Sequence, residues 1–180
     1  FLVEKPLADS LNHAKEIVSL ASKHNLTGAV GYMYAYTTLL AKIEELLNQK
    51  VIGKLKSFTG TAYVTQVLSP KKGWRYDKKT AGGGCVSLHG THLLYLIYRL
   101  FGLPEKVKSK LEFPYSQVED KASIDVSYTT LSKNNTLIGH LNISWSEKGY
   151  SKLTIKLLIE GENGLMSIED DQITLNLKKA

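Results

Sequence analysis

Two histidines, His89 and His92, stand three residues apart in a stretch of otherwise mostly apolar side chains. At helical spacing they share a face. A histidine so placed is either a core residue bonded to a backbone carbonyl or an acid/base group aimed at a cleft. A metal site would want a third ligand. Cys85 lies a turn away, but no Cys/His/Asp cluster completes a set, so no metal is expected. Immediately ahead runs Ala81-Gly82-Gly83-Gly84. Glycines permit positive φ and close approach, and the helix N-terminus after them can take an anion. The run lacks the Gly-Lys-Ser/Thr ending of a P-loop and the glycine spacing of a dinucleotide fingerprint. A loop that lets a buried helix pack tightly explains it equally well. Upstream, Lys71-Lys72-Gly73-Trp74-Arg75-Tyr76-Asp77-Lys78-Lys79 is a basic loop with two aromatics, suited to facing an anionic ligand.

The elements that must hold these residues follow from periodicity. A helix opens after Asp9 or Ser10 as N-cap, with Leu11, Ala14, Ile17, Val18 and Ala21 at helical spacing, and stops at Asn25. Thr27–Tyr34 reads as a strand. A second helix spans about Thr37 to Gln49, and Lys54–Val67 reads as a long strand. The loop from Ser69 to Gly84 is long enough to carry function. The segment from Val86 to Phe101 is apolar nearly all round, so it predicts a buried helix, closed by Gly102 and Pro104.

The remainder predicts strands at 107–113, 123–131, 137–145, 153–160, 165–168 and 173–177. Turns are expected at Lys133-Asn134-Asn135, Glu162-Asn163-Gly164 and Asp170–Asp171. The fold class is α+β: one mostly antiparallel open sheet with helices packed on one face. Ile124, Val126 and Tyr128, with Leu141, Ile143 and Trp145, offer an apolar side through which the sheet would pair with another subunit.

Composition narrows the function classes. The chain has 180 residues, 43% of them apolar, and a single cysteine, which excludes an internal disulfide framework. No apolar run approaches the ~20 residues of a membrane span. The net charge is +6, but the lysines are interleaved with acids, and no helix-turn-helix, zinc-finger or aromatic RNA-binding pattern occurs. Neither a nucleic-acid nor a membrane partner is expected, and the location is read as cytoplasmic.

Two motifs carry a resemblance. The first is Glu4-Lys5-Pro6-Leu7-Ala8 followed by a helix. The second is Gly73-Trp74-Arg75, then Ala81-Gly82-Gly83-Gly84, then Gly90-Thr91-His92 inside a helix ending near Gly102. Between them stand Gly31-Tyr32-Met33 and a helix running to Val51-Ile52-Gly53, and Glu160-Gly161-Glu162-Asn163-Gly164 follows. In this order the chain resembles the C-terminal part of the Gfo/Idh/MocA oxidoreductases, the glucose–fructose oxidoreductase and inositol dehydrogenase family.

The resemblance implies an enzyme that moves a hydride between NAD or NADP and a sugar, inositol or related polyol. Residues 1–25 would form the edge of a dinucleotide-binding Rossmann domain: its last strand, the Glu-Lys-Pro motif and the following helix. Residues 26–180 would be the substrate-binding and oligomerisation domain, a homo-oligomer forming through the sheet face. The first residue is Phe rather than Met, and the piece alone is expected to be inactive.

Lys5 and His92 would be catalytic. Glu4, Lys5 and Pro6 would border the cofactor, and Trp74, Arg75, Tyr95 and His89 the substrate. Members often carry acids where this chain has Leu88 and Tyr95, and a base near Ala35 and Tyr36. His89 or Tyr95 would then stand in as the acid/base partner. The alternative is a non-catalytic binding or oligomerisation module derived from the same family.

Overall fold

The computed structural model describes residues 1–129, 136–169 and 171–178. The chain begins with β1 (Leu2–Val3), α1 (Leu11–Lys23) and β2 (Ala29–Val30). Ser10 caps α1, its Oγ accepting from the His13 N–H at 3.3 Å, and Asn25 ends the unit at φ 51°. β1 and β2 pair in parallel as a small separate sheet. The strand expected over Thr27–Tyr34 is therefore only two residues long. A 3₁₀ turn at Met33–Tyr36 replaces the rest, turning Tyr32 and Tyr34 towards α3 (Thr91–Phe101).

α2 (Thr38–Asn48) starts where Thr37 Oγ1 accepts from the Leu40 N–H at 3.3 Å, and it buries Leu40 and Ile43. A π-helical turn at Val86–Gly90 leads into α3. The segment expected to be buried all round is covered on one side only: Leu93 and Ile97 face the core, while Tyr98 and Arg99 face solvent.

Seven strands form the main sheet: β3 (Leu55–Tyr63), β4 (Lys106–Glu112), β5 (Lys121–Thr129), β6 (Thr136–Ser144), β7 (Thr154–Gly161), β8 (Gly164–Glu169) and β9 (Gln172–Leu177). Their order is β4-β5-β6-β3-β7-β8-β9. The C-terminal strands are thus not a simple meander. β3 enters between β6 and β7, parallel to β6, and all other pairs in this sheet are antiparallel. The strand expected to run to Val67 stops at Tyr63, with one further bridge from Thr65 to Ser146. The turn at Glu162-Asn163 is as expected. The one at Lys133-Asn134-Asn135 lies outside the described residues, as does Asp170.

Strict alternation gives the sheet two unlike faces. Phe58, Ile124, Val126, Leu141 and Ile143 lie under α2 and α3, where Phe101 stacks on Phe58 at 4.5 Å. The apolar side read as an intersubunit surface is therefore the covered core. Ile124, Val126, Tyr128, Leu141, Ile143 and Trp145 are each at most 8% exposed. Alternation tells which residues share a face, but not which face the helices cover. The open face is largely polar, with Asp125, His140, Thr59, Leu158 and Ser167 in one cross-strand row.

Candidate active site

The parallel pairing of β1 with β2 sets Glu4-Lys5-Pro6 beside Gly31-Tyr32. The Gly31 N–H donates to the Val3 carbonyl at 2.8 Å. Lys5 then reaches across to α3's leading turn, its Nζ donating to the Leu88 carbonyl. That contact joins residues 83 apart in sequence and brings the ammonium to both histidines. Burial holds the Lys5 ammonium below the usual lysine pKa, and Glu4 partly opposes the shift.

His89 Nε2 donates to Gln66 Oε1 at 2.7 Å, and its ring lies edge-on to Trp145 at 6.4 Å. His92 is 8% exposed and lies edge-on to Tyr34 at 5.1 Å. Its Nδ1 has no hydrogen-bond partner among the described residues. Burial first, then the charge of Lys5, pushes both imidazoles down to about 4. Both are therefore neutral at pH 7. Tyr95 stacks on Tyr32 with centroids 4.3 Å apart and planes 5° from parallel.

The loop residues arrive from the other side. Trp74 is 64% exposed, and the Arg75 guanidinium lies 5.1 Å from its ring centroid. Tyr76 meets Trp145 edge-on at 5.7 Å, so the loop and His89 flank the same indole. The charge of Arg75 adds to that of Lys5 in disfavouring the imidazolium at His89.

The glycine run takes no free anion at its helix N-terminus, because the chain supplies one. Glu119 Oε1 accepts from the Gly84 N–H at 2.8 Å and the Val86 N–H at 3.2 Å, and its carbonyl accepts from Cys85. A Cβ at Gly84 would lie 2.2 Å from the Glu119 carbonyl oxygen, so glycine is required there for packing. Asp120, fully buried, accepts from the backbone of Tyr115 (2.7 Å) and Ser116 (3.0 Å), from Ser116 Oγ (2.6 Å) and from Trp145 Nε1 (2.5 Å). It thereby fixes the indole that backs His89. Cys85 is buried and its thiol is pushed up to about 12 by burial, which leaves it inert at neutral pH. Among the described residues no group of three or more His, Cys, Asp and Glu is placed to hold a metal ion.

Of the residues named from the sequence, Lys5, His89 and His92 converge most closely, with Glu4 and Arg75 within electrostatic reach. Tyr95 borders the group through Tyr32, Trp74 stands at its outer edge, and Pro6 follows Lys5 through a cis bond, exposed. Sequence reasoning missed Gln66 and Tyr34. Gln66 sat inside a segment read as continuous strand, and Tyr34 at the end of another. Chemically, the cluster presents a neutral imidazole able to accept a proton and an ammonium able to hold a developing oxyanion.

The GFO/IDH/MocA C-terminal domain model matches residues 40–167. An uncharacterized protein of Saccharomyces cerevisiae is 29% identical over 173 residues, covering 93% of this chain and 47% of that protein. D-xylose dehydrogenase of Paenarthrobacter nicotinovorans is 23% identical over 177 residues, covering 89% of this chain and 45% of its own length. The chain thus spans about half the length of the curated relatives it matches. Levoglucosan dehydrogenase in complex with NADH superposes with a TM-score of 0.79 at 20% identity, over 99% of this chain and 54% of that one, which shows the shared fold. With most of its length matched by the family's domain model, the chain belongs to the GFO/IDH/MocA family, of which it carries the C-terminal domain.

Proposed function

We propose that the whole protein is an NAD(P)-dependent oxidoreductase acting on a sugar, inositol or related polyol, and that this chain supplies the substrate side of its cleft. The observation that carries the reading is the convergence of Lys5 with His92 and His89 from segments more than 80 residues apart. The donor set fits the reaction. His92 keeps a buried Nδ1 without a partner, and Lys5 is held by a neutral carbonyl rather than a carboxylate.

A bound nicotinamide would supply the hydride chemistry, bordered by Glu4, Lys5 and Pro6. Neutral His92 takes the proton of the reacting hydroxyl, and the Lys5 ammonium holds the oxygen as its charge grows. His89, Tyr95, Trp74 and Arg75 line the substrate side. Residues 1–25 are the edge of the dinucleotide-binding domain. In support, α1 buries none of its residues, and Leu11 and Val18 of its apolar stripe are 70% and 58% exposed. Residues 26–180 bind substrate and form a homo-oligomer through the open sheet face, in the cytoplasm. Among the described residues no helix is long and apolar enough to cross a membrane.

The test is turnover by the protein expressed from its full reading frame. Lys5→Met and His92→Ala each lower it by about 10²- to 10⁴-fold, the usual weight of a positioned acid/base group, with the thermal midpoint retained. Unchanged turnover in both variants overturns the roles. Residues 1–180 alone should bind no NAD(P) by calorimetry. Leu88 and Tyr95, at positions often acidic in the family, favour a second reading, a non-catalytic module. A stable full-length protein inert with either cofactor would support it.

A further inference from the structure

We propose that the substrate carries a negative charge, a carboxylate or phosphate on a sugar or polyol frame, and that Arg75 with the lysines of the 71–79 loop binds it. The proposal rests on the oxidoreductase reading above and deepens it. Five cations, Lys71, Lys72, Arg75, Lys78 and Lys79, share this loop with one acid, Asp77. Asp77 is occupied locally, its Oδ1 accepting from the Lys79 N–H at 2.8 Å. None of the five cations makes an ion pair among the described residues, whereas lysines elsewhere pair with Glu45, Glu112, Glu147 and Glu169.

Solvated lysines on a free loop would mean little. Here the loop is tied down. Lys71 N–H donates to the Tyr115 carbonyl at 3.3 Å, Gln117 N–H to the Tyr76 carbonyl at 3.1 Å, and Thr80 Oγ1 to the Trp74 carbonyl at 2.8 Å. Arg75 lies on the Trp74 ring, which restricts the directions its guanidinium can take. Through Tyr76 and Trp145 the loop is packed against the indole that backs His89.

The cleft's cations have few acids turned towards them. Lys5 meets a carbonyl, the positions at 88 and 95 are Leu and Tyr, and the nearby acids are already engaged. Glu119 holds the Gly84 and Val86 amides, and Asp120 holds Trp145 and two further amides. Among the described residues, Glu4 is the acid that acts on both Lys5 and His92. The five loop cations lack ion-pair partners among the described residues, and an anionic ligand would supply one. A planar guanidinium suits a carboxylate or phosphate through paired N–H donors.

The experiment uses the full-reading-frame protein and matched probes: a neutral aldose, its uronic acid and its 6-phosphate, each assayed with NAD and with NADP. The expected result is a kcat/KM about 10- to 100-fold higher for one anionic member than for the neutral sugar, the range of a charge-assisted contact. Whether the acid or the phosphate leads tells the two sources apart. Arg75→Gln removes most of that preference through KM, and rising salt erodes it. Lys71→Gln with Lys72→Gln gives a second, smaller loss should Arg75→Gln fold poorly. A neutral sugar turned over as well as both anions overturns the proposal while leaving the oxidoreductase reading intact. So does an Arg75→Gln effect confined to the KM for NADP. No turnover of any probe with either cofactor overturns the underlying reading as well.

Discussion

The open face of the sheet and the cleft beside α3 use the same kinds of side chain in opposite ways. On the open face, charges meet their complements. Lys156 pairs with Glu169 and Lys110 with Glu112 at 2.8 Å, and Asp125 Oδ1 accepts a hydrogen bond from His140 Nδ1 at 2.6 Å. In the cleft, Lys5 donates to a carbonyl, His89 to an amide, and His92 Nδ1 has no partner among the described residues. The difference is one of acids. Apart from Glu4, the carboxylates named near the cleft are turned to structural tasks, Glu119 at the helix N-terminus and Asp120 under Trp145. Paired exposed charges add little to stability and are screened by salt. Unpaired, half-buried ones keep a field that a ligand can answer.

Removing a structural acid should have the largest effect on folding. Asp120→Ala leaves the Trp145 indole N–H and the Tyr115 and Ser116 amides without acceptors. At up to about 3 kcal/mol for the buried indole and about 1 kcal/mol for each half-buried amide, chemical denaturation should show a loss of about 3–5 kcal/mol. A loss below ~1 kcal/mol would mean that the indole is held by packing alone. Gln66→Leu should act on the cleft instead, removing the hydrogen-bond partner of His89. Steady-state assays should show kcat/KM lowered about three- to tenfold, the worth of one neutral hydrogen bond. The smallest effect belongs to the open face. Lys156→Ala should change the unfolding free energy by no more than ~0.5 kcal/mol, and a larger change would break the contrast between the two regions.

Much of this architecture is written in short-range pattern. Ser10 and Thr37 announce their helices because a cap is a bond between a side chain and a backbone group a few residues on. The alternation of β5 and β6 follows from the pleat, although β5 begins at Lys121, two residues before the start expected for it. Other features rest on distant partners. β3 lies between β6 and β7 because of pairings some hundred residues apart, which no local pattern encodes. The anion at the glycine run is Glu119, about 35 residues downstream, and the partner of His89 is Gln66, 23 residues upstream. The motif at Glu4-Lys5-Pro6 and the histidine at 92 were legible as candidates, but their meeting depends on the β1–β2 pair, only two residues long on each side.

The central claim is that the cleft favours neutral imidazoles whereas the exposed His13 favours its protonated form, and NMR titration of the histidine ring protons tests it most directly. His13 provides the internal contrast, since its bond to the Asp9 carboxylate holds its pKa above the ordinary value of 6.5. The account predicts that His89 and His92 remain neutral until the pH falls to about 4, while His13 gains its proton above 6.5. Titration of His89 and His92 at or above 6.5, alongside His13, would contradict it.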